Sequence, residues 1–152
     1  MSRYTQIYYH IVFATRDRAP VLLQSGREPL FQQVWGIIQK RKSRLYRING
    51  TLDHVHILTS LHPTVSLADF VKEVKAGSSY WMKRSNLFPD FYHWQDGYGA
   101  FTHSSQDKDR LIEYIKRQAD HHRRVSFGDE LKSMLIEAGV ESDEKSLMLE
   151  GS

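Results

Sequence analysis

The segment Tyr4 to Ala14 does most to restrict the fold. It is rich in Tyr, Ile, Val and Phe and is apolar at nearly every position. β-branched and aromatic residues in such a run suit a strand. A strand apolar on both faces belongs in the middle of a sheet with a layer packed on each side. A two-residue alternation would have allowed one face to meet water, and this run does not alternate.

The remaining pattern supplies the neighbours. Asp17 to Gly26 reads as a loop, with Pro20 and Gly26 as breakers. Glu28 to Lys42 carries Leu30, Phe31, Val34, Ile37 and Ile38 at helical spacing. Arg44 to Thr51 and His54 to Leu61 read as strands joined at Asn49-Gly50, a strong hairpin signal. Ser66 is a good N-cap for a helix running to about Arg84, with Asp69 in its first turn. Tyr92 to Gln95 and Tyr98 to Thr102 flank Asp96-Gly97, which predicts a second hairpin. Helices follow over 106–124 and 127–138, the latter ended by Gly139. This order is an α+β chain with a ferredoxin-like βαββαβ core, a central antiparallel sheet and C-terminal helices. Residues 1–140 read as one domain and 141–152 as an acidic, flexible tail. No repeat or interdomain linker interrupts the chain, and 152 residues suit a single domain.

Composition excludes some chemistries. With no cysteine, disulfides and thiolate metal sites are ruled out. No run approaches the length of a membrane span, so the expected compartment is the cytoplasm with no membrane partner. The net charge is only +3, but Lys40, Arg41, Lys42, Arg44 and Arg47 cluster, as do Lys116, Arg117, Arg123 and Arg124. The acids gather after Gly128. A basic body suits a polyanion partner, although composition alone favours a solvated basic surface slightly.

Two elements could carry chemistry. His54 and His56 flank Val55, and alternate side chains on a strand share a face, so both imidazoles can reach one metal ion. In a chain with eight histidines, such a pair by itself reads more readily as two sheet-surface side chains. Tyr114 and Gln118 are four residues apart, side by side on a helix whose apolar stripe is Leu111, Ile115, Ala119 and His122. Tyrosine can attack a phosphodiester covalently, but its phenol titrates near pH ~10 and needs activation. Together the elements offer two imidazoles, an amide oxygen and a nucleophile one turn away. That set suffices for metal-assisted transesterification at phosphorus.

These residues resemble the single-tyrosine HUH transposases of small bacterial insertion sequences, including relatives associated with repetitive extragenic palindromes. The His-hydrophobic-His signature is His54-Val55-His56, and the catalytic-helix motif is Tyr114-Ile115-Lys116-Arg117-Gln118, followed by His121-His122-Arg123. Tyr9 to Arg16, Val71-Lys72 with Lys75 to Ser79, and Trp94 to Phe101 also resemble the family, in the expected order. The resemblance implies cleavage and rejoining of single-stranded DNA at hairpin-marked element ends through a 5′-phosphotyrosine, with a free 3′-OH. It implies Mg²⁺ or Mn²⁺ and no nucleotide cofactor. It also implies a homodimer in which the tyrosine helix can serve the partner's histidines. Tyr114 would then be the nucleophile, and His54, His56 and Gln118 the metal ligands. Such a ligand set should be weak and exchangeable, and Mn²⁺ should serve it well.

Arg16, Arg18, Lys72, Lys75 and Lys83 are candidate DNA contacts, through phosphate pairing beside aromatic stacking. His121 is a possible auxiliary group, although a histidine near a helix C-terminus is ordinary. His10 is expected to pack. Two other functions stay open. One is a non-catalytic ferredoxin-like binder of single-stranded nucleic acid. The other is a phosphoesterase using metal-activated water, which would leave no covalent adduct.

Overall fold

The computed structural model describes residues 4–118 and 125–141. Its four strands are β1 (Tyr8–Ala14), β2 (Arg44–Gly50), β3 (His54–Ser60) and β4 (Gly99–His103). They pair antiparallel in the order β2-β3-β1-β4, with α1 (Gln24–Lys40) and α2 (Leu67–Ser85) as the two crossovers. This is the ferredoxin-like arrangement. β1 takes a central place, as its unbroken apolar run requires, with Val12 opposite His56 on β3 and Gly99 on β4.

The pleat divides the sheet residues into two layers. Ile11, Phe13, Val55 and Ile57 join Leu30, Val34 and Ile38 of α1 and Phe70, Val71 and Val74 of α2 in the main core. Burying each large aliphatic side chain there contributes about 1.5–3 kcal/mol. His10, Val12, Ala14, His54, His56 and Leu58 emerge on the other face. That face is covered by α3 (Lys108–Lys116), through Leu111 and Ile115, and by α4 (Phe127–Glu137), through Phe127 and Leu131. The second layer therefore buries a polar row of histidines inside an otherwise apolar sandwich.

Local signals were partly displaced. α1 begins at Gln24 rather than Glu28 and ends at Lys40. Gly26 does not break the helix: it lies in the first turn, where a Cβ would come within 2.5 Å of the Phe88 ring. Asn49-Gly50 is not the hairpin turn either. Both residues lie in β2, and Thr51 to Asp53 make the connection. Gly50 is needed because a Cβ would sit 2.7 Å from the His54 carbonyl oxygen. Asn49 donates from Nδ2 to the Ile115 and Lys116 carbonyls at 3.0 and 3.1 Å, closing the C-terminus of α3.

The second expected hairpin does not form. β4 pairs with β1, and Trp94 makes only an isolated bridge to Thr15. Gly97 does turn the chain, with φ 89°. This connection is clamped from α2: Lys75 Nζ donates to the Gln95 and Gly97 carbonyls, and the Trp94 indole N–H donates to Ser78 Oγ at 3.0 Å. Ser66 caps α2 at Asp69 N, and Ser126 caps α4 at Asp129 N. The helix expected over 106–124 is represented by a 3-10 turn at Ser105–Asp107 and by α3, which ends at Lys116 with Arg117 as C-cap. Ala119, His121 and His122 lie outside the described residues, as does most of the expected acidic tail.

Candidate active site

β3 supplies the imidazole pair. His54 and His56 are both fully buried and leave the sheet on the α3–α4 side. Each ring has a partner on its rear nitrogen. His54 Nδ1 lies 2.7 Å from Asp53 Oδ1 and 3.0 Å from Thr51 Oγ1, and the Thr51 hydroxyl donates to Asp53 Oδ1 at 3.1 Å. The β2–β3 turn is thus a bracket for one ring. His56 Nδ1 lies 2.8 Å from His10 Nε2, on the neighbouring strand. Burial, and then the nearby His56 and His103, hold the His10 imidazole well below the usual histidine range. A neutral His10 has one ring nitrogen free to accept a His56 Nδ1–H. These pairings leave both Nε2 atoms facing one point, the orientation by which outer hydrogen bonds prepare histidines for a metal.

Three further side chains close that point. Gln118, just beyond the end of α3, is fully buried, with Oε1 3.4 Å from His54 Nε2. Glu130, in the first turn of α4, is 3% exposed. Its Oε1 lies 2.9 Å from His56 Nε2 and 3.6 Å from His54 Nε2. Its Oε2 accepts from Gln118 Nε2 at 3.1 Å and from the Tyr114 hydroxyl. The Tyr114 ring stands edge-on to His56, centroids 5.8 Å apart, and to His10 at 6.2 Å. The ligand atoms of His54, His56 and Glu130 all lie within 4.8 Å of one another.

The electrostatics follow from this crowding. Burial opposes a charge on His54, but the hydrogen bonds and charges of Asp53 and Glu130 outweigh it and raise its pKa. The centre therefore draws positive charge. Burial, and then the Glu130 carboxylate, push the Tyr114 phenol above its usual range, against a smaller opposing effect of Gln118. The hydroxyl is a donor here and needs help to become a nucleophile. A cavity of about 650 Å³, lined by His10, Phe101, His103, Arg110, Tyr114 and Glu130 among others, opens beside it.

The side chains expected from the sequence to act together, His54, His56, Tyr114 and Gln118, meet at this centre. The expected DNA contacts are scattered. Arg16 and Lys83 converge on the exposed Tyr92 ring, 5.8 and 6.0 Å from its centroid, and Arg16 Nη1 lies 2.6 Å from His93 Nε2. Arg18 lies over the Phe127 ring at 5.5 Å, Lys75 grips the 95–97 connection, and Lys72 is exposed.

Glu130 was not legible as a site residue. An acid in the first turn of a helix ordinarily complements the helix dipole, and only the packing of α4 on the sheet turns this one inward. Asp53 and Thr51 carried a weak signal through their closeness to the histidine pair. His10, expected to pack, does so while also bonding His56.

The profile of the family described as "Transposase IS200 like" matches residues 3–118, which include both histidines, the tyrosine and the glutamine. The chain belongs to this family. Among relatives, the IS200-like chain is 26% identical over 121 residues to the ISDra2 transposase TnpA of Deinococcus radiodurans, covering 76% of this chain and 86% of the relative. A crystal structure of a protein from Deinococcus radiodurans R1 assigned to the transposases superposes with a TM-score of 0.60 at 25% identity. The match covers 78% of this chain and 97% of that one. A REP-associated tyrosine transposase, solved bound to a REP hairpin, matches with a TM-score of 0.54 at 15% identity, over 77% of this chain and 72% of that one. This last likeness is one of fold. Among the described residues no helix is long and apolar enough to cross a membrane.

Proposed function

We propose that this IS200-like transposase cleaves and rejoins single-stranded DNA at hairpin-marked ends, with Tyr114 as nucleophile. The observation that carries the reading is the meeting of Tyr114, His54, His56 and Gln118 at one buried centre. Tyr114 Oη attacks the scissile phosphorus, forming a 5′-phosphotyrosine. The P–O3′ bond breaks and the departing oxygen takes up a proton to become a free 3′-OH. The phenol proton has an acceptor at hand in Glu130 Oε2. Rejoining is the reverse attack, by a 3′-OH on the phosphotyrosine, which needs no nucleotide cofactor.

Mg²⁺ or Mn²⁺ would be held by His54, His56 and Gln118, whose ligand atoms and outer hydrogen-bond partners fit a divalent ion. A bound ion would supply charge that polarises the scissile phosphate and offsets the Glu130 charge which, after burial, keeps the phenol protonated. The chain itself orients the rings, excludes water from the centre and presents the hydroxyl to the cavity. The tyrosine serves the histidines of its own chain, since it already lies beside them. A homodimer, as the family resemblance implies, is compatible with this.

Arg16, Lys83 and Tyr92 form a surface suited to a single strand, with cations for phosphate and an exposed ring for stacking. The hairpin-bound relative supports a hairpin substrate by analogy of fold. Residues 1–140 act as one domain in this reading. The soluble-enzyme character expected of such a transposase fits a cytoplasmic location.

The test is incubation with single-stranded oligonucleotides bearing imperfect hairpins from the flanks of the chain's own gene, with Mn²⁺. The expected result is a denaturation-resistant protein–DNA adduct that needs metal and is absent in Tyr114→Phe. Metal-dependent cleavage that survives the substitution, with no adduct, would mean hydrolysis. Binding without cleavage on those ends would favour a non-catalytic binder.

A further inference from the structure

Glu130 has no part in the ligand set expected from the sequence, yet it is the most deeply committed acid among the described residues. We propose that the Glu130 carboxylate is an additional, anionic ligand of the metal ion and completes the set His54, His56 and Gln118. The inference rests on the reading that this centre holds a divalent ion.

Asp53 Oδ1 lies 2.7 Å from the rear nitrogen of His54, and His10 Nε2 lies 2.8 Å from that of His56. Imidazoles whose Nδ1–H groups are held in this way can offer their Nε2 lone pairs to a metal ion. Facing them are Glu130 Oε1, at 2.9 and 3.6 Å, and Gln118 Oε1, at 3.4 Å from His54 Nε2. Four potential ligand atoms thus converge on one buried point, where imidazole N–H groups bridge to Glu130 and Gln118. The ligand atoms of His54, His56 and Glu130 all lie within 4.8 Å of one another, the spacing a single ion needs to replace those bridging protons.

The far oxygen of the carboxylate fixes the others. Glu130 Oε2 accepts from Gln118 Nε2 at 3.1 Å, which turns Gln118 Oε1 toward His54. It also accepts from the Tyr114 hydroxyl. One carboxylate therefore aims the amide ligand, anchors the nucleophile and contributes charge. Two imidazoles and an amide are a neutral set better suited to softer ions, whereas an added carboxylate oxygen favours Mg²⁺ and Mn²⁺. α4 is the element that delivers this group, with Ser126 capping the turn that carries it.

The experiment is Mn²⁺ binding to the chelator-treated full chain, followed by electron paramagnetic resonance of the free ion. It compares wild type with Glu130→Gln, Glu130→Asp and His56→Ala. The proposal expects Glu130→Gln, which keeps the shape and loses the charge, to weaken binding at least tenfold. Glu130→Asp, which keeps the charge on a shorter arm, should fall between, and circular dichroism identifies any variant that does not fold. Mn²⁺ affinity of folded Glu130→Gln within twofold of wild type would overturn the proposal. So would a wild-type chain that binds no Mn²⁺. The cleavage reading fails separately, if wild type binds Mn²⁺ through Glu130 and yet forms no adduct.

Discussion

Ser78→Ala removes one oxygen from the clamp between α2 and the 94–97 connection. Ser78 is fully buried, and its Oγ accepts the Trp94 indole N–H at 3.0 Å while donating to the Val74 carbonyl at 2.6 Å. Trp94 is itself 5% exposed and packed edge-on against Phe13 and Phe91, so water cannot replace the lost acceptor. An orphaned buried donor costs about 1–3 kcal/mol. Val74 retains its helical partner, and alanine returns about 0.5 kcal/mol of helix propensity. The net loss is about 0.5–2.5 kcal/mol, or a fall in Tm of roughly 1–10 °C for a chain of this size. Urea unfolding should show a lower midpoint at unchanged slope, with single-strand affinity as in wild type. A loss below about 0.5 kcal/mol, or reduced DNA binding at unchanged stability, would refute the view that this family-like segment is scaffold.

Other expectations concern the site and its surroundings. His10 titrates below its unfolded value near ~6.5, so the unfolded chain binds the proton first as pH falls, and the contribution of His10 is complete above that pH and lost below it. The destabilisation by His10→Gln, measured by urea unfolding of the metal-free chain, should therefore shrink by up to about 1.4 kcal/mol per pH unit below ~6.5; a constant difference from pH ~7.5 to ~5 would count against it. His54, with a raised pKa, acts in the opposite direction in both proteins and so cancels in this comparison. On the proposal that the tyrosine serves its own chain, mixing Tyr114→Phe with His56→Ala should give no adduct, and adduct in the mixture would show exchange between chains. Tyr92→Ala should weaken single-strand binding by about 1–3 kcal/mol, and Arg16→Ala should reduce the salt slope by about 0.7. Unchanged affinity and slope would remove that surface from the DNA path.

The sequence conveyed the layers better than the joints. The apolar run of β1 required a central strand, and alternation around Val55 put His54 and His56 on one face. Glycine signals misled where a close approach and a turn demand the same residue: Gly26 yields to Phe88 and Gly50 to the His54 carbonyl, and neither bends the chain as expected. Asn49 likewise serves α3 rather than a turn. Within the site, residues tied by strand or helix periodicity were legible. Glu130 was not, because the path by which α4 folds back over the histidines has no local periodicity linking it to β3.

The most direct measurement is the mass of one peptide. Trypsin cutting after Arg110 and Lys116 releases Leu111 to Lys116, which contains Tyr114 alone among tyrosines. After reaction with a cleavable hairpin strand and Mn²⁺, then nuclease digestion, that peptide should carry a 5′-linked nucleotide phosphate on Tyr114. Cleaved DNA with this peptide unmodified, or with the phosphate on another residue, would contradict the account.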